Sequence, residues 1–278
     1  MRWIARDFTF DFPRPMVVMG IVNTTPDSFA DGGQFLNSGS AVDHALRLAD
    51  EGAEIIDIGG ESTRPGSAPV SEEEELLRVV PVIERLAKRS EVALSVDTQK
   101  PVVAKAAIDA GASIVNDVAA NRESPQMWHV VAEAGAGYIC MHMRGTPQTM
   151  QAKPRYDDVV LEVGGFFKKR LARLAEHGVS DAQVALDPGI GFGKTLDHNI
   201  KLLSRLNKFS VTERPLLVGV SRKSFIGNLL GTSLEDRLPA SLTCAVWSVA
   251  EGANIVRVHD VAETVQAVRM AEALNEKV

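Results

Sequence analysis

The sequence contains few cysteines and few aromatic residues. Only Cys140 and Cys244 are present among 278 residues, and aromatic residues make up 5% of the chain. Two widely separated cysteines cannot form a disulfide framework or a four-cysteine zinc site, so we expect both to be buried as small apolar side chains in a reducing cytoplasm. The sequence also lacks an H-E-x-x-H motif and any cluster of cysteine and histidine, which disfavours a tightly held zinc ion.

Long apolar runs and an excess of basic residues are missing as well. No run approaches the roughly 18 apolar residues of a membrane span, and residues 1–12 have no apolar stretch of the kind that a signal peptide needs. The 30 basic and 36 acidic residues give a net charge of −6, which argues against a general nucleic-acid binder but allows a local cationic pocket. We therefore expect a cytoplasmic protein that binds neither nucleic acid nor membranes.

Short apolar segments alternate with longer stretches of helical pattern along the chain. The segments are rich in Val and Ile, as expected for parallel strands that are buried on both faces. They cover residues 16–22, 54–59, 92–96, 113–118, 137–141, 183–186, 215–220 and 254–258. Each segment precedes a helix, and eight such units predict a closed (β/α)8 TIM barrel rather than an open doubly wound sheet.

The ends of the predicted elements carry local signals. Ser71 to Glu74 reads as a capping box, and Pro101 as a first-turn proline. At the N-terminus, Phe8, Phe10 and Phe12 alternate with polar residues, which predicts a short strand or hairpin that caps one end of the barrel. No linker rich in Pro, Gly or Ser divides the chain, so we expect residues 1–278 to form a single domain.

Polar residues follow nearly every predicted strand. They are Asn23, Asp57, Glu61, Asp97, Asn116, Asp117, His142, Asp187, Ser221, Lys223, Arg257 and His259. Any one of them could be an ordinary cap or turn residue. In a TIM barrel, however, the carboxyl ends of all strands meet at one mouth, which is where the chemistry takes place. Three long connections, 23–37, 60–71 and 143–157, follow strands at the same end and indicate lids or binding loops.

Cationic residues follow the last two predicted strands. Arg222 and Lys223 come after the seventh strand, and Arg257 and His259 come after the eighth. Barrels of this type frequently bind phosphate with these two loops, and a guanidinium offers paired donors to phosphate oxygens. The cluster therefore predicts an anionic ligand, with ordinary surface charge as the alternative.

A glycine-rich segment, residues 188–195, nearly matches a phosphate-binding loop. The pattern G-x-x-x-x-G-K-[ST] fails because its first glycine is replaced by Pro188. The remaining glycines indicate that backbone or a flat ligand comes close to the chain beside Asp187.

Taken together, these motifs closely resemble the dihydropteroate synthase family. The matching stretches are MGIVNTTPDSFADGG (19–33), IDIGGESTRPGS (56–67), VDT (96–98), NDV (116–118), MHMRGTPQTMQ (141–151), LDPGIGFGKT (186–195), GVSRKSFIG (219–227) and RVHD (257–260). They occur in the family's order along nearly the whole chain. Departures from the family pattern, at Thr24, Ala30 and Gln99, touch none of the groups assigned below.

The resemblance implies a transferase of folate biosynthesis. Such enzymes join 4-aminobenzoate to 6-hydroxymethyl-7,8-dihydropterin diphosphate, releasing pyrophosphate and giving 7,8-dihydropteroate, with help from Mg2+. It implies an SN1-like substitution in which the dihydropterin delocalises a cation at the departing carbon. Sulfonamides, which mimic 4-aminobenzoate, are expected to compete.

The resemblance also assigns roles to residues of this sequence. Asp97, Asn116 and Asp187 are expected to bond the pterin nitrogens, and Lys223 the pterin carbonyl, so that poorer isosteres leave buried groups unpaired. Arg257 and His259 are expected to meet the diphosphate. Of these residues, the catalytic ones would be Asp97, Lys223 and Arg257, with Asp97 offsetting the developing cation.

The remaining assignments concern the metal and the second substrate. Asn23 is expected to hold Mg2+, and Thr63 to lie beside the pterin diphosphate. Four residues match the family's aminobenzoate pocket, which forms when the first two long loops close over the bound pterin. They are Phe29, Pro65, Phe192 and Ser224.

Three other functions are compatible with parts of this pattern. A methyltransferase on a pterin-binding barrel would share the Asp and Asn residues but would not need the TTPDSF, SRKS and RVHD segments. An enzyme that uses Lys223 to form a Schiff base is a second alternative. An inactive pterin-binding paralogue is the third, although Asn23, Asp97, Lys223 and Arg257 are all present. The apolar stretch 238–250, together with the resemblance, predicts a homodimer through C-terminal helices.

Overall fold

The computed structural model describes residues 1–24, 34–63, 66–120 and 122–275, with the backbone alone for residues 34–38. Its strands are β1 (Arg2–Ala5), β2 (Phe8–Asp11), β3 (Val17–Asn23), β4 (Ile55–Gly59), β5 (Ala93–Asp97), β6 (Ile114–Asp117), β7 (Gly137–Met141), β8 (Val184–Asp187), β9 (Leu217–Gly219) and β10 (Ile255–Val258). Its α-helices are α1 (Gln34–Asp50), α2 (Glu72–Leu86), α3 (Pro101–Asp109), α4 (Pro125–Ala134), α5 (Val159–Glu176), α6 (Leu196–Leu203), α7 (Ser224–Leu230), α8 (Leu238–Ala250) and α9 (Val261–Asn275). Short 310 turns lie at Asp181–Gln183, Leu206–Thr212 and Glu235–Arg237.

Strands β3 to β10 form one parallel sheet that curves into a barrel. The strand order is β8-β7-β6-β5-β4-β3-β10-β9, and a parallel bridge between Leu186 and Leu216 joins β8 to the segment before β9. A helix follows each of these strands and covers the outside of the sheet. The predicted (β/α)8 TIM barrel is therefore confirmed. Strands β4 and β5 are buried along their whole length, which explains their continuous apolar character.

Several helix signals act as expected. The Ser71 hydroxyl accepts a hydrogen bond from the Glu74 amide at 3.1 Å, and Pro101 is the first residue of α3. The first long connection ends earlier than expected, because α1 begins at Gln34 rather than after residue 37.

The prediction that both cysteines are buried holds for Cys140, but Cys244 on α8 is only half-buried. No helix in the described part of the chain is both long and apolar enough to cross a membrane.

The N-terminal hairpin closes the end of the barrel where the strands begin. Strands β1 and β2 pair antiparallel, and Trp3, Phe10 and Phe12 are buried. They pack against the first inward side chains of the barrel strands. These are Val17, Met19, Ile55, Ala93, Ile114, Ile139, Ala185, Leu217 and Ile255. The predicted N-terminal cap is confirmed, and it leaves the opposite end of the barrel for polar side chains.

Candidate active site

The polar side chains of the barrel interior lie one layer above the apolar cap. Successive side chains of a strand alternate between faces, so a residue two positions after an inward residue also points inward. Asp57 follows Ile55 at this spacing, and Arg257 follows Ile255. Asn116 and Asp187 follow their own inward residues in the same way. The strand period therefore brings groups from distant parts of the sequence into one ring.

The register of the sheet aligns a second row of residues at the barrel mouth. Asn23 lies opposite Gly59, Gly59 lies opposite Asp97, and Asp97 lies opposite Asn116. A Cβ atom on Gly59 would lie 3.9 Å from Asn23 Oδ1 and 3.8 Å from Asp97 Oδ2. The missing side chain of Gly59 thus leaves a gap that is bordered by an amide oxygen and a carboxylate.

Arg257 is the centre of a buried network. Its Nε donates to Asp57 Oδ2 at 2.6 Å, and its Nη2 donates to Asp97 Oδ2 at 2.7 Å. Asn116 Nδ2 donates to the same Asp57 oxygen at 3.0 Å. The structure thus brings together three of the residues predicted for the site: Arg257 bonds Asp97 directly, and Asp57 links Arg257 to Asn116.

Asp57 had no predicted role beyond its position at a strand end. Its side chain is fully buried, and Oδ1 has no hydrogen-bond partner among the described residues. A buried carboxylate oxygen without a donor is costly unless a ligand supplies one. The spacing of two residues from Ile55 is the sequence signal that could have assigned Asp57 to the site.

Burial and neighbouring charges shift the pKa values of the network in different directions. Burial raises the pKa of Asp97 to about 8, with the Arg257 guanidinium opposing it. Burial also raises the pKa of Asp187, again against nearby cations. Although burial disfavours the Arg257 cation, Asp57 and Asp97 outweigh it and raise the Arg257 pKa. Arg257 therefore stays charged, while Asp97 and Asp187 lose their protons at a higher pH than ordinary carboxyls do.

Lys223 connects the last strands to the glycine-rich loop. Its Nζ donates to the Ile190 carbonyl and lies 4.7 Å from the centre of the Phe192 ring. Burial lowers the pKa of Lys223 to about 8, and Asp187 opposes this shift. Ser224, the next residue, is exposed and begins α7. Groups predicted to bind the pterin and groups predicted to bind the aminobenzoate are therefore adjacent.

His259 is held by the loop that follows β9. Its Nδ1 lies 3.0 Å from Ser221 Oγ, and its backbone amide donates to the same hydroxyl at 3.2 Å. Arg222 differs from the expectation of a cation open to a ligand, because Nε donates to Asp260 Oδ2 at 2.9 Å and Nη2 donates to the other oxygen. Of the four residues predicted for the cationic cluster, Lys223, Arg257 and His259 thus stay at the mouth, whereas Arg222 binds Asp260.

Two residues at strand ends point away from the mouth. Asp117 accepts from the Tyr138 hydroxyl at 2.7 Å and from the Ala119 amide at 2.9 Å. The His142 ring packs against Phe166, and its Nδ1 lies 3.0 Å from Lys194 Nζ. Asp117 is bonded to β7 and to its own loop, and His142 contacts α5 and the loop before α6, so both residues have a structural role.

Glu61 and Thr63 lie in the connection after β4. Glu61 pairs with Lys100, which also pairs with the fully buried Glu75 of α2. Thr63 is partly buried. The predicted pocket residues Phe29 and Pro65 lie outside the residues that the structure describes.

Comparisons with known proteins agree with this geometry. Residues 19–259 match the model of the family described as pterin binding enzyme. The chain is 50% identical over 273 residues to the dihydropteroate synthase of Escherichia coli (strain K12), covering 98% of this chain and 96% of that protein. The solved structure of Yersinia pestis dihydropteroate synthase with a sulfonamide drug complex gives a TM-score of 0.93 at 47% identity, covering 99% of this chain and 100% of that one. The Xanthomonas albilineans enzyme in complex with 7,8-dihydropteroate gives a TM-score of 0.89 at 42% identity, with 99% of each chain covered. This chain therefore belongs to the dihydropteroate synthases of the pterin binding enzyme family.

Proposed function

We propose that the chain condenses 4-aminobenzoate with 6-hydroxymethyl-7,8-dihydropterin diphosphate to give 7,8-dihydropteroate and pyrophosphate. The observation that carries this proposal is the buried network in which Arg257 bridges Asp57 and Asp97 beside Asn116. It combines acceptors for the nitrogens of a flat heterocycle with a cation for its anionic substituent. The complex of the Xanthomonas albilineans relative with 7,8-dihydropteroate supports the same product here.

The pterin would lie across the interior of the barrel mouth. Asp97, Asn116 and Asp187 would bond its nitrogens, and Lys223 would donate to its carbonyl. Asp57, whose Oδ1 has no partner among the described residues, would act beside them as a further acceptor or through Asn116. Buried polar groups of this kind discriminate strongly, because an analogue without the matching atoms leaves them unpaired.

The diphosphate would lie against Arg257 and His259, with Thr63 at its side. Asn23 would hold Mg2+, since its amide oxygen borders the gap over Gly59 together with Asp97. Magnesium needs only one or two protein oxygens when a substrate phosphate supplies others, so this donor set fits the ion. When bound, Mg2+ would neutralise charge on the pyrophosphate as it leaves.

The bond changes follow a dissociative order. The carbon–oxygen bond to the diphosphate breaks first, and its electron pair leaves with the pyrophosphate, where Arg257 and His259 stabilise the charge. The Asp97 carboxylate offsets the cation that the dihydropterin delocalises. The amine of 4-aminobenzoate then forms the carbon–nitrogen bond and releases one proton. Because the arylamine is already nucleophilic, the site needs no strong general base.

The aminobenzoate pocket would lie beside Phe192 and Ser224, completed by Phe29 and Pro65. Phe192 packs at the edge of a small apolar cluster at the barrel mouth. The buried members of this cluster are Val118, Ala119, Met141, Met143 and Met150. Methionine side chains adapt readily to flat ligands, and the cluster gives the pocket an apolar wall that the sequence motifs did not indicate.

The enzyme would act as a cytoplasmic homodimer through its C-terminal helices. On α8 the small residues Ser241, Ala245 and Ser248 are buried toward the barrel, whereas Trp247 is 49% exposed. Met270 and Leu274 of α9 are exposed as well. Large apolar side chains that face outward on two neighbouring helices are typical of an interface. Analytical ultracentrifugation should give a dimer, and a Trp247→Glu variant should shift it toward monomer.

Pyrophosphate release provides the decisive experiment. The purified enzyme should release pyrophosphate with Mg2+ only when both substrates are present, and 7,8-dihydropteroate should form in equal amount. Release that needs no arylamine, or no release at all, would contradict the proposed reaction. Transfer of a methyl group to a reduced pterin would favour the methyltransferase instead, and borohydride trapping of a carbonyl substrate on Lys223 would favour a Schiff-base enzyme.

A further inference from the structure

The loop between β8 and α6 has an unusual hydrogen-bonding pattern. Its five consecutive carbonyl oxygens from Gly189 to Gly193 all accept hydrogen bonds from side chains. Lys194 Nζ donates to Gly189 at 2.8 Å and to Phe192 at 2.9 Å, Lys223 donates to Ile190, Gln151 donates to Gly191 at 2.8 Å, and Tyr156 donates to Gly193 at 2.9 Å. The loop is therefore fixed by side chains that surround it rather than by a strand partner.

Among the described residues around the loop, Lys194 donates two of these five hydrogen bonds, and each of the others donates one. It is 2% exposed, and its Nζ also lies 3.0 Å from His142 Nδ1 and 3.3 Å from the His142 carbonyl oxygen. Among the described residues no carboxylate lies within ion-pair distance of it. Lysine is almost never fully buried without such a partner, and burial lowers the Lys194 pKa well below its usual value. The hydrogen bonds of Lys194 Nζ to the loop are therefore what offsets the burial of the amine.

The glycines explain why a donor is needed at this point. Gly189, Gly191 and Gly193 have φ values of 66°, 88° and 64°, and this alternation turns successive carbonyls in different directions. The Gly189 amide donates to Asp187 Oδ1 at 2.7 Å, and the Gly191 amide donates to Asn199 Oδ1 at 2.7 Å. These two amides are used within the protein, and Lys194 Nζ is bonded to loop carbonyls, so neither the amides nor Lys194 offers a free donor to a phosphate.

We propose that Lys194 is a positioning residue for the 4-aminobenzoate pocket. Its Nζ donates to the loop at Gly189 and at Phe192, and between these two points the Ile190 carbonyl accepts from Lys223. Lys194 thereby fixes the position of the Phe192 ring, 4.7 Å from Lys223 Nζ. This inference deepens the proposed function and rests on its assignment of Phe192 to the aminobenzoate pocket.

Three of the four groups assigned to the pterin, Asp97, Asn116 and Asp187, lie on strands, and only Lys223 is bonded to the loop, so the pterin side should depend much less on Lys194. Asp187 belongs to β8 and is held by the sheet, where it lies opposite Met141 and its carbonyl accepts from the His142 amide at 2.8 Å. Phe192 has no strand partner and depends on the bonds within the loop. A loss of Lys194 should therefore separate the two substrates kinetically.

The test compares Lys194→Met with Lys194→Gln and with Lys208→Met, which replaces an exposed lysine. Lys194→Met should raise the KM for 4-aminobenzoate about tenfold to a hundredfold, since small displacements of a positioning group have effects of this size. The Kd of the pterin diphosphate, measured by calorimetry, should stay nearly constant. Lys194→Gln, whose amide can still donate two hydrogen bonds, should recover part of the loss, and Lys208→Met should behave as the wild type.

Equal changes in the aminobenzoate KM and the pterin Kd, or a normal aminobenzoate KM in folded Lys194→Met, would overturn the proposal. If neither Lys194 variant folds, Tyr156→Phe decides, because it removes one donor to the same loop from a half-buried position. It should raise the aminobenzoate KM by a smaller factor and leave the pterin Kd unchanged; no change in either would overturn the proposal. A wild-type enzyme that releases no pyrophosphate would instead count against the proposed function.

Discussion

Arg257 Nη2 donates to Asp97 Oδ2 at 2.7 Å across the interior of the barrel. The two residues belong to β10 and β5, which are separated in the sheet by β3 and β4. This contact joins a residue assigned to the diphosphate with a residue assigned to the pterin. Binding of the two parts of the substrate should therefore be coupled, because any ligand that draws Arg257 toward phosphate changes the charge around Asp97.

The first prediction concerns Asp97→Asn. The amide keeps the shape of the carboxylate but cannot offset a cation, and it presents one acceptor instead of two. Pterin binding should weaken about tenfold to a hundredfold, as expected for hydrogen bonds to a charged group, and kcat should fall as well. Isothermal calorimetry and steady-state kinetics measure the two effects.

Asp117→Asn is the matched control for this variant. Asp117 also ends a barrel strand and is buried, but it bonds Tyr138 and Ala119 on the outside of the sheet. Its replacement should lower stability without changing the pterin Kd. Normal kinetics in Asp97→Asn, or equal effects of both variants on the pterin Kd, would remove Asp97 from the site.

The second prediction concerns Arg257. Arg257→Ala leaves two buried carboxylates without their cation, and removal of one partner from such a group typically costs about 3–5 kcal/mol of stability. Arg257→Lys keeps the charge but cannot reach both carboxylates with a rigid fork. In both variants the KM of the diphosphate substrate should rise more than the Kd of free hydroxymethyl-dihydropterin. Equal effects on both ligands would show that Arg257 does not contact the diphosphate.

The barrel could be predicted from the sequence because its strands are buried on both faces. Such strands need continuous apolar residues, and β7 has the predicted bounds of residues 137–141. The segment predicted at 215–220 contains only three strand residues, Leu217–Gly219. Pro215 has no amide to donate, so regular pairing starts after it.

The sequence predicts which residues belong to the site better than it predicts which of them contact each other. The motifs placed Asp97, Asn116 and Arg257 at one mouth, but they did not show that Asp57 links Arg257 to Asn116. Arg222 was misread for the same reason, since its partner Asp260 lies 38 residues further along the chain. A single sequence gives the face on which a side chain lies, whereas the choice of partner depends on distances between strands that are remote in sequence.

The third prediction concerns the dependence of kcat/KM on pH. Burial raises the pKa of Asp97 to about 8 and lowers that of Lys223 to about 8. The reaction needs the Asp97 carboxylate, which gains population as the pH rises, and the Lys223 ammonium, which loses population as the pH rises. The pH dependence of kcat/KM for the pterin diphosphate reports the pKa values of the free enzyme. This parameter should therefore reach its maximum near pH 8 and fall at lower and at higher pH.

A substitution distinguishes the two limbs of this profile. Lys223→Arg keeps a cation that does not lose its proton in this range, so the alkaline limb should move to higher pH even if the maximum rate falls. The acidic limb should be unchanged, because it belongs to Asp97. An alkaline limb at the same pH in both enzymes would assign it to another group.

The fourth prediction concerns the stability of the connection after β4. Lys100 pairs with Glu61 and with Glu75, whose side chain is fully buried. Lys100→Met leaves Glu75 buried without a cation, which should lower the free energy of unfolding by about 3–5 kcal/mol. Lys105→Met is the control, since the pair of Lys105 and Asp109 lies in solvent. Urea denaturation should show a clear loss for the first variant and almost none for the second; similar losses would contradict this role of Lys100.

The last prediction compares two glycines that share a left-handed backbone. Gly189 has φ 66° and Gly135 has φ 62°. A Cβ atom on Gly189 would lie 1.9 Å from the His142 carbonyl oxygen, whereas a Cβ on Gly135 meets nothing within 4 Å. In both alanine variants a residue with a Cβ atom must adopt the left-handed backbone conformation, which costs about 1–2 kcal/mol of stability. Gly189→Ala should lower the free energy of unfolding by about 1–3 kcal/mol more, because its Cβ overpacks the site.

The two variants should also differ in activity. Gly189 lies in the loop that carries Phe192, so Gly189→Ala should raise the KM for 4-aminobenzoate, whereas Gly135→Ala at the end of α4 should leave it unchanged. Equal stability losses by urea denaturation would show that the loop can move away from His142 at little cost. In that case the space beside the His142 carbonyl would not be what requires a glycine at position 189.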